Sequence, residues 1–144
     1  AVGHAYTAQF PSRPFNNYRR DTLAGQVTVV EGSRHERLIE ALGKGSVCGV
    51  YFPCLQGFPL DLDVEQMDGL PDEFLLAGAI DTSAVEIMYP DVVARNYNTP
   101  GLDCAALRWR GYSLCFEARD DRLLFSCRSL HAGGGHSGGL VVLG

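Results

Sequence analysis

The sequence predicts an α+β fold in which a small antiparallel β-sheet packs against two or three helices. Three observations predict it. Residues 26–30 and 47–52 are rich in β-branched and aromatic side chains. Residues 113–118 and 122–127 flank the polar turn Arg119-Asp120-Asp121 as a hairpin would, and residues 33–43 carry the signals of an amphipathic helix.

Taken in order, residues 1–24 are irregular, because Pro11, Pro14 and Asn16-Asn17 interrupt any period while Tyr6, Phe10, Phe15 and Tyr18 supply something to bury. Gln-Val-Thr-Val-Val at 26–30 forms the first strand. Ser33 then stands as N-cap with Glu36 three positions on, a capping box, followed by Leu38, Ile39, Ala41 and Leu42 on one face and Gly43 as terminator. A second strand at 47–52 is closed by Pro53, and 58–62 reads as a further short one. Residues 61–73 carry Asp61, Asp63, Glu65, Asp68, Asp72 and Glu73 at spacings that do not match an EF-hand, which predicts a solvated loop. An apolar stretch at 74–80 leads to Asp81 or Thr82 as cap of a helix through Arg95 that Pro90 bends or splits. Pro100-Gly101 breaks the chain, Asp103 is a favoured N-cap, and 104–112 form a helix with Cys104 in its first turn. After the hairpin, residues 131–139 are glycine-dense, and 140–143 form a last strand or a frayed end.

At 144 residues the chain is a single domain that buries about two-thirds of its unfolded surface. No apolar run approaches the ~18 residues of a membrane-spanning helix, and the basic and apolar pattern of a secretion signal is absent, so neither is expected. A formal charge of −5 argues against nucleic acid as a direct partner. The five cysteines, Cys48, Cys54, Cys104, Cys115 and Cys127, include no Cys-x-x-Cys pair, which fits a reducing compartment. A zinc site built from Cys48, Cys54, Cys115 and Cys127 lacks the usual knuckle spacing, and no metal or other cofactor is expected.

Cys104 is the candidate nucleophile. Backbone N–H groups and the dipole at a helix start favour a thiolate, although Asp103 beside it opposes one. A nucleophilic cysteine needs a base, and the candidates are His4, His35, His131 and His136. His35 sits at a helix start and His136 among glycines, so neither is rigidly held. Gly135-His136-Ser137-Gly138-Gly139 has the Gly-x-Ser-Gly-Gly form of a serine nucleophile loop, but too little chain follows it to build the pocket and hold the oxyanion donors.

Tyr97-Asn98 followed by Asp103-Cys104-Ala105-Ala106-Leu107 resembles the Tyr-Asn…Asn-Cys-x-x-Phe signature of the lecithin:retinol acyltransferase-like proteins. That family has a permuted NlpC-type papain-like fold, and picornavirus 2A proteins of the His-box/Asn-Cys class share the motif. Size and composition are similar to the kobuvirus group. Asp103 replaces the family's asparagine, and His4-Ala5-Tyr6 stands in for its His-Trp-Ala box. A second alignment, on Leu38-Ile39-Glu40 and Cys48-Gly49-Val50-Tyr51, offers no histidine. The resemblance implies a viral non-structural protein of the host cell cytoplasm that acts in genome replication or host-factor interaction without proteolysis. Its partner would be a host or viral protein, and peripheral membrane association is compatible with the family. If the protein is an enzyme, the resemblance implies acyl transfer or thioester hydrolysis with Cys104 as nucleophile and His4 as base. The stretch from Tyr89-Pro90 to Asp103-Cys104 also resembles the Pro-Gly-Asp-Cys-Gly-Gly loop of chymotrypsin-like 2A cysteine proteases, with Leu102 inserted and Ala105-Ala106 in place of the glycines.

Overall fold

The computed structural model describes residues 1–93, 100–131 and 135–144. The chain is α+β, as expected. In order it forms α1 (Val2–Gln9), β1 (Phe15–Asn17), β2 (Val27–Val29), α2 (Glu36–Lys44), β3 (Gly49–Gln56), α3 (Leu60–Met67), β4 (Phe74–Leu76), α4 (Ala79–Met88), β5 (Gly101–Asp103), β6 (Leu107–Trp109), β7 (Ser113–Arg119), β8 (Arg122–Arg128) and β9 (His136–Leu143).

The main sheet is mixed rather than antiparallel. It has seven strands in the order β1-β8-β7-β5-β9-β3, with β4 also on β9, and β1–β8 and β5–β9 are parallel pairs. The expected hairpin is its strongest local unit. β7 and β8 pair from Ser113↔Arg128 to Arg119↔Arg122, with Asp120 at φ 55° in the left-handed region that aspartate tolerates in tight turns. The expected first strand, β2, pairs with β6 in a separate ribbon, where the Arg19 and Arg110 guanidiniums lie over the Trp109 ring.

Several expectations are corrected. The segment 1–24 opens with a helix, because Ala5, Thr7 and Ala8 tolerate helical geometry and Tyr6 anchors it in the core. α2 begins at Glu36, and the capping box does not form: the buried Ser33 hydroxyl accepts the His35 N–H at 3.3 Å, a local turn that competes with a cap. β3 runs through Pro53, which an edge strand with a bulge between Phe52 and Leu55 can hold. The acidic 61–73 stretch contains α3, whose first turn carries Asp61 and Asp63 where the helix dipole favours them, and no strand forms at 58–62. α4 is capped at Gly78, whose N–H is accepted by the Asp81 carboxylate at 2.9 Å, and ends before Pro90.

The helix expected at 104–112 does not exist. Gly101–Asp103 is a strand held between β7 and β9, and the Cys104 N–H continues the pairing to Leu114 O at 2.8 Å. Tertiary pairing outweighs the weak helix preference of so short a segment.

Direct pairing puts Leu102 beside Phe116 and Phe116 beside Phe125. One sheet face is therefore apolar and packs with Tyr6, Cys104, Leu114 and Leu123. The opposite face carries Asp103, Cys115, Glu117, Ser126, Arg128 and His136. α3 closes part of that face through Leu60 and Met67, which pack with Leu76 and Leu140. The glycine-dense end is not a tail. Gly138 lies against the Asp63 carboxylate and Gly139 against the Tyr51 phenol, so β9 is glycine-rich where neighbours leave no room for a Cβ. Gly138→Ala should accordingly cost ~1–3 kcal/mol in denaturant unfolding. Gly43→Ala, inside α2 with open space around it, should stabilise by about 0.5–1 kcal/mol in the same measurement.

Candidate functional site

Among the described residues, Cys104 and His4 do not line a common cleft. Cys104 is wholly buried among Tyr6, Leu102 and Leu114. Burial pushes its thiol well above the usual cysteine range, and the negative charge of Asp81, then Cys115 and Asp103, adds to the rise, while the Thr82 hydroxyl opposes it. His4 is exposed on α1 and opens on a cleft of about 600 Å³ with Thr7, Phe15, Arg20 and Ser83, and Cys104 is not part of its wall. Tyr97 and Asn98 lie outside the described residues. Leu107 is buried in β6, where it pairs with Val29.

Asp103 points the other way from Cys104. It accepts from Arg128 Nη1 at 2.8 Å through Oδ2, and its Oδ1 is buried without a hydrogen-bond partner among the described residues. Burial pushes its carboxyl up to about 6 despite Arg128. Asp63 of α3 faces it. This side chain is also buried, with both oxygens unpartnered among the described residues, and burial, then the Asp103 charge, push it up to about 7.

Cys115 lies directly opposite Asp103 in the β5–β7 pair, and His136 stands two residues before Gly138, which aligns with Asp103 across β5–β9. The Asp103 carboxylate, Cys115 sulfur and His136 ring nitrogen offer ligand atoms all within 4.8 Å of one another. Among the described residues this is the one group of histidine, cysteine and carboxylate ligands close enough to share an ion, and Cys48, Cys54 and Cys127 take no part. His136 is held in a central strand, contrary to the expectation from its glycine neighbours. Burial, then Arg128 and Arg119, depress it to about 4, so its imidazole is neutral at pH 7. An open cleft of about 650 Å³, lined by Glu117, Arg119, Arg122, Ser126, Arg128 and His136, runs along the same face.

No protein-family model, curated protein or solved structure matches this chain. The likeness to the 2A proteins therefore rests on the residues of the motif itself. Of the remaining histidines, His35 is buried with Nδ1 3.1 Å from Leu76 O, and His131 is exposed, its backbone carbonyl accepting from Arg128 Nη2 at 2.8 Å. No helix of the described residues is long and apolar enough to cross a membrane.

Reading the sequence for a nucleophile missed Cys115, His136, Arg128 and Asp63 as companions of Asp103. The period-two alternation of Cys115, Glu117 and Arg119 against Leu114, Phe116 and Ala118 marks the two faces of β7, but the partners of Cys115 come from strands distant in sequence.

A second surface feature lies at the sheet edge. β3 pairs with β9 alone among the described strands, contains no charged residue, and leaves Val50 57% and Phe52 40% exposed. Beside it an apolar groove of about 170 Å³ runs between α2 and α4, lined by Leu38, Leu42, Val50, Ile80, Val85 and Met88.

Glu86 of α4 is buried with both oxygens unpartnered among the described residues, and burial, then Asp91, push it from its ordinary 4.5 up to about 8. The folded chain holds this proton more tightly than the unfolded chain. The stability Glu86 contributes is therefore complete below its ordinary range and is lost as pH rises through about 8. Glu86→Gln cannot ionise, so it should raise the melting temperature at about pH 9 and flatten the alkaline decline. The expected gain is at least about 1 kcal/mol, given ~1.4 kcal/mol per pH unit of displacement. An unchanged pH profile of melting would contradict the placement of Glu86.

Proposed function

We propose that this protein is a protein-binding module of the 2A type, acting in genome replication or host-factor interaction, that takes an extended segment of a host or viral partner along β3. The observation that carries the reading is the open edge of β3 beside the apolar groove. Natural edge strands are usually blunted by lysine, proline or a bulge. Here the Gly49–Phe52 half of β3 has none of these, since Pro53 and the bulge lie beyond it. An added strand would satisfy the open backbone groups of β3 and drop alternate side chains between Leu42, Ile80 and Met88. The partner's chemistry follows: an extended backbone with apolar residues at every second position. The burial of Cys104 and its two carboxylate neighbours support a binding role over acyl transfer, because a thiol that is neutral and inaccessible is a poor nucleophile.

The test titrates a short probe peptide with valine and threonine at alternate positions into isotope-labelled protein and follows the amide resonances. Saturable shifts confined to residues 49–52 and the α2/α4 groove are expected, and Val50→Lys should weaken them at least about tenfold, the equivalent of 1.4 kcal/mol. Absence of shifts overturns the proposal. So does a concentration-dependent dimer by light scattering that blocks the peptide, since the edge would then serve a second copy of this chain.

A further inference from the structure

We infer that Asp103, Cys115 and His136 form a binding site for a zinc-like divalent cation on the polar face of the sheet. Three different strands deliver the ligands to one point, β5, β7 and β9, so the site is a property of the sheet's register and does not depend on a loop. The donor set of one carboxylate oxygen, one sulfur and one imidazole nitrogen is that of zinc, and three protein ligands leave a fourth position for water or a bound group.

The geometry is close to what the ion needs. Tetrahedral bonds of about 2.0–2.3 Å hold ligand atoms ~3.3–3.8 Å apart. The three atoms here lie within 4.8 Å of one another, so side-chain rotations moving them by about 1 Å close the site. Cys115 would bind as the thiolate, its proton leaving to solvent as the sulfur–metal bond forms.

A second observation points to a ligand independently of that proximity. Asp103 is 2% exposed, and its Oδ1 finds no hydrogen-bond partner among the described residues, although Arg128 holds Oδ2 at 2.8 Å. A buried carboxylate oxygen left bare beside one that is fixed is costly unless something else occupies it. His136 Nε2 is likewise buried and, among the described residues, without a hydrogen-bond partner, 3.7 Å from Glu117 Oε2. Arg128 would act as the outer partner that orients the ligating carboxylate. The charged groups around the site include Arg108, Arg119 and Arg128, which oppose a cation, and Asp63, Asp103 and Glu117, which favour it when ionised.

The test uses cobalt(II) as a spectroscopic stand-in for zinc on the full chain. One ion per chain should bind, with visible bands of tetrahedral cobalt and a near-ultraviolet thiolate charge-transfer band, and zinc should displace it. Cys115→Ser should abolish the charge-transfer band. His136→Gln should weaken zinc binding at least about 100-fold, at or beyond the 10–100-fold typical of losing an outer partner. Both variants are checked for fold by circular dichroism, and the cobalt spectrum of the unmodified chain stands without them. The double variant Cys48→Ser, Cys54→Ser should keep the spectrum. No cobalt spectrum, a spectrum without the thiolate band, or one lost with Cys48 and Cys54 overturns the inference.

Discussion

The structure depends on where β5 pairs. Gly101–Asp103 is held between β7 and β9, and in a pleated strand adjacent residues face opposite ways. Leu102 therefore enters the apolar core, Asp103 enters the polar layer, and Cys104 returns to the core beside Leu114. A shift of one residue would bury the carboxylate among Phe116 and Phe125 and turn two apolar side chains toward Arg128. Both sheet faces thus fix this register, and with it the placement of Cys104 on the opposite face from Arg128 and His136.

The polar layer has a cost that the fold meets unevenly. Asp103 is compensated on one oxygen by Arg128, whereas Asp63 has no hydrogen-bond partner among the described residues and is pushed toward its neutral form instead. The glycines of β9 belong to the same arrangement. Gly138 admits the Asp63 carboxylate against the sheet, and Gly101 admits the His136 ring, so α3 and β9 approach closely enough to cover the cluster. Residues that read as flexible spacers are the places where polar side chains cross a packed strand.

What was legible in the sequence was local. The β7/β8 hairpin followed from two alternating segments around Asp120-Asp121, and α2 and the first half of β3 from their own periodicity and composition. β5 could not be read this way, because three residues become a strand only through partners at 113–119 and 136–143, and the same residues carry a plausible helix start. α3 was hidden by its acidic residues, which sit well at a helix N-terminus but also compose loops. Of the candidate site, Asp103 and Cys104 were singled out in the right place but as members of one helix turn. Cys115 and His136 meet Asp103 only across the sheet, a relation set by register and not by spacing along the chain.

The protein that emerges has a well-packed cysteine where the motif suggested a nucleophile, a polar cluster on the reverse of the same strand, and an open sheet edge elsewhere. The account stands on Cys104 facing the apolar core. Time-resolved alkylation of the five cysteines in the native chain, resolved by mass spectrometry, tests this most directly. Exposed Cys48 and Cys54 should label first, and buried Cys104 should label only as the whole domain unfolds. Labelling of native Cys104 as fast as that of Cys48, with an apparent pKa below the ~8.5 of a free thiol, would contradict the account.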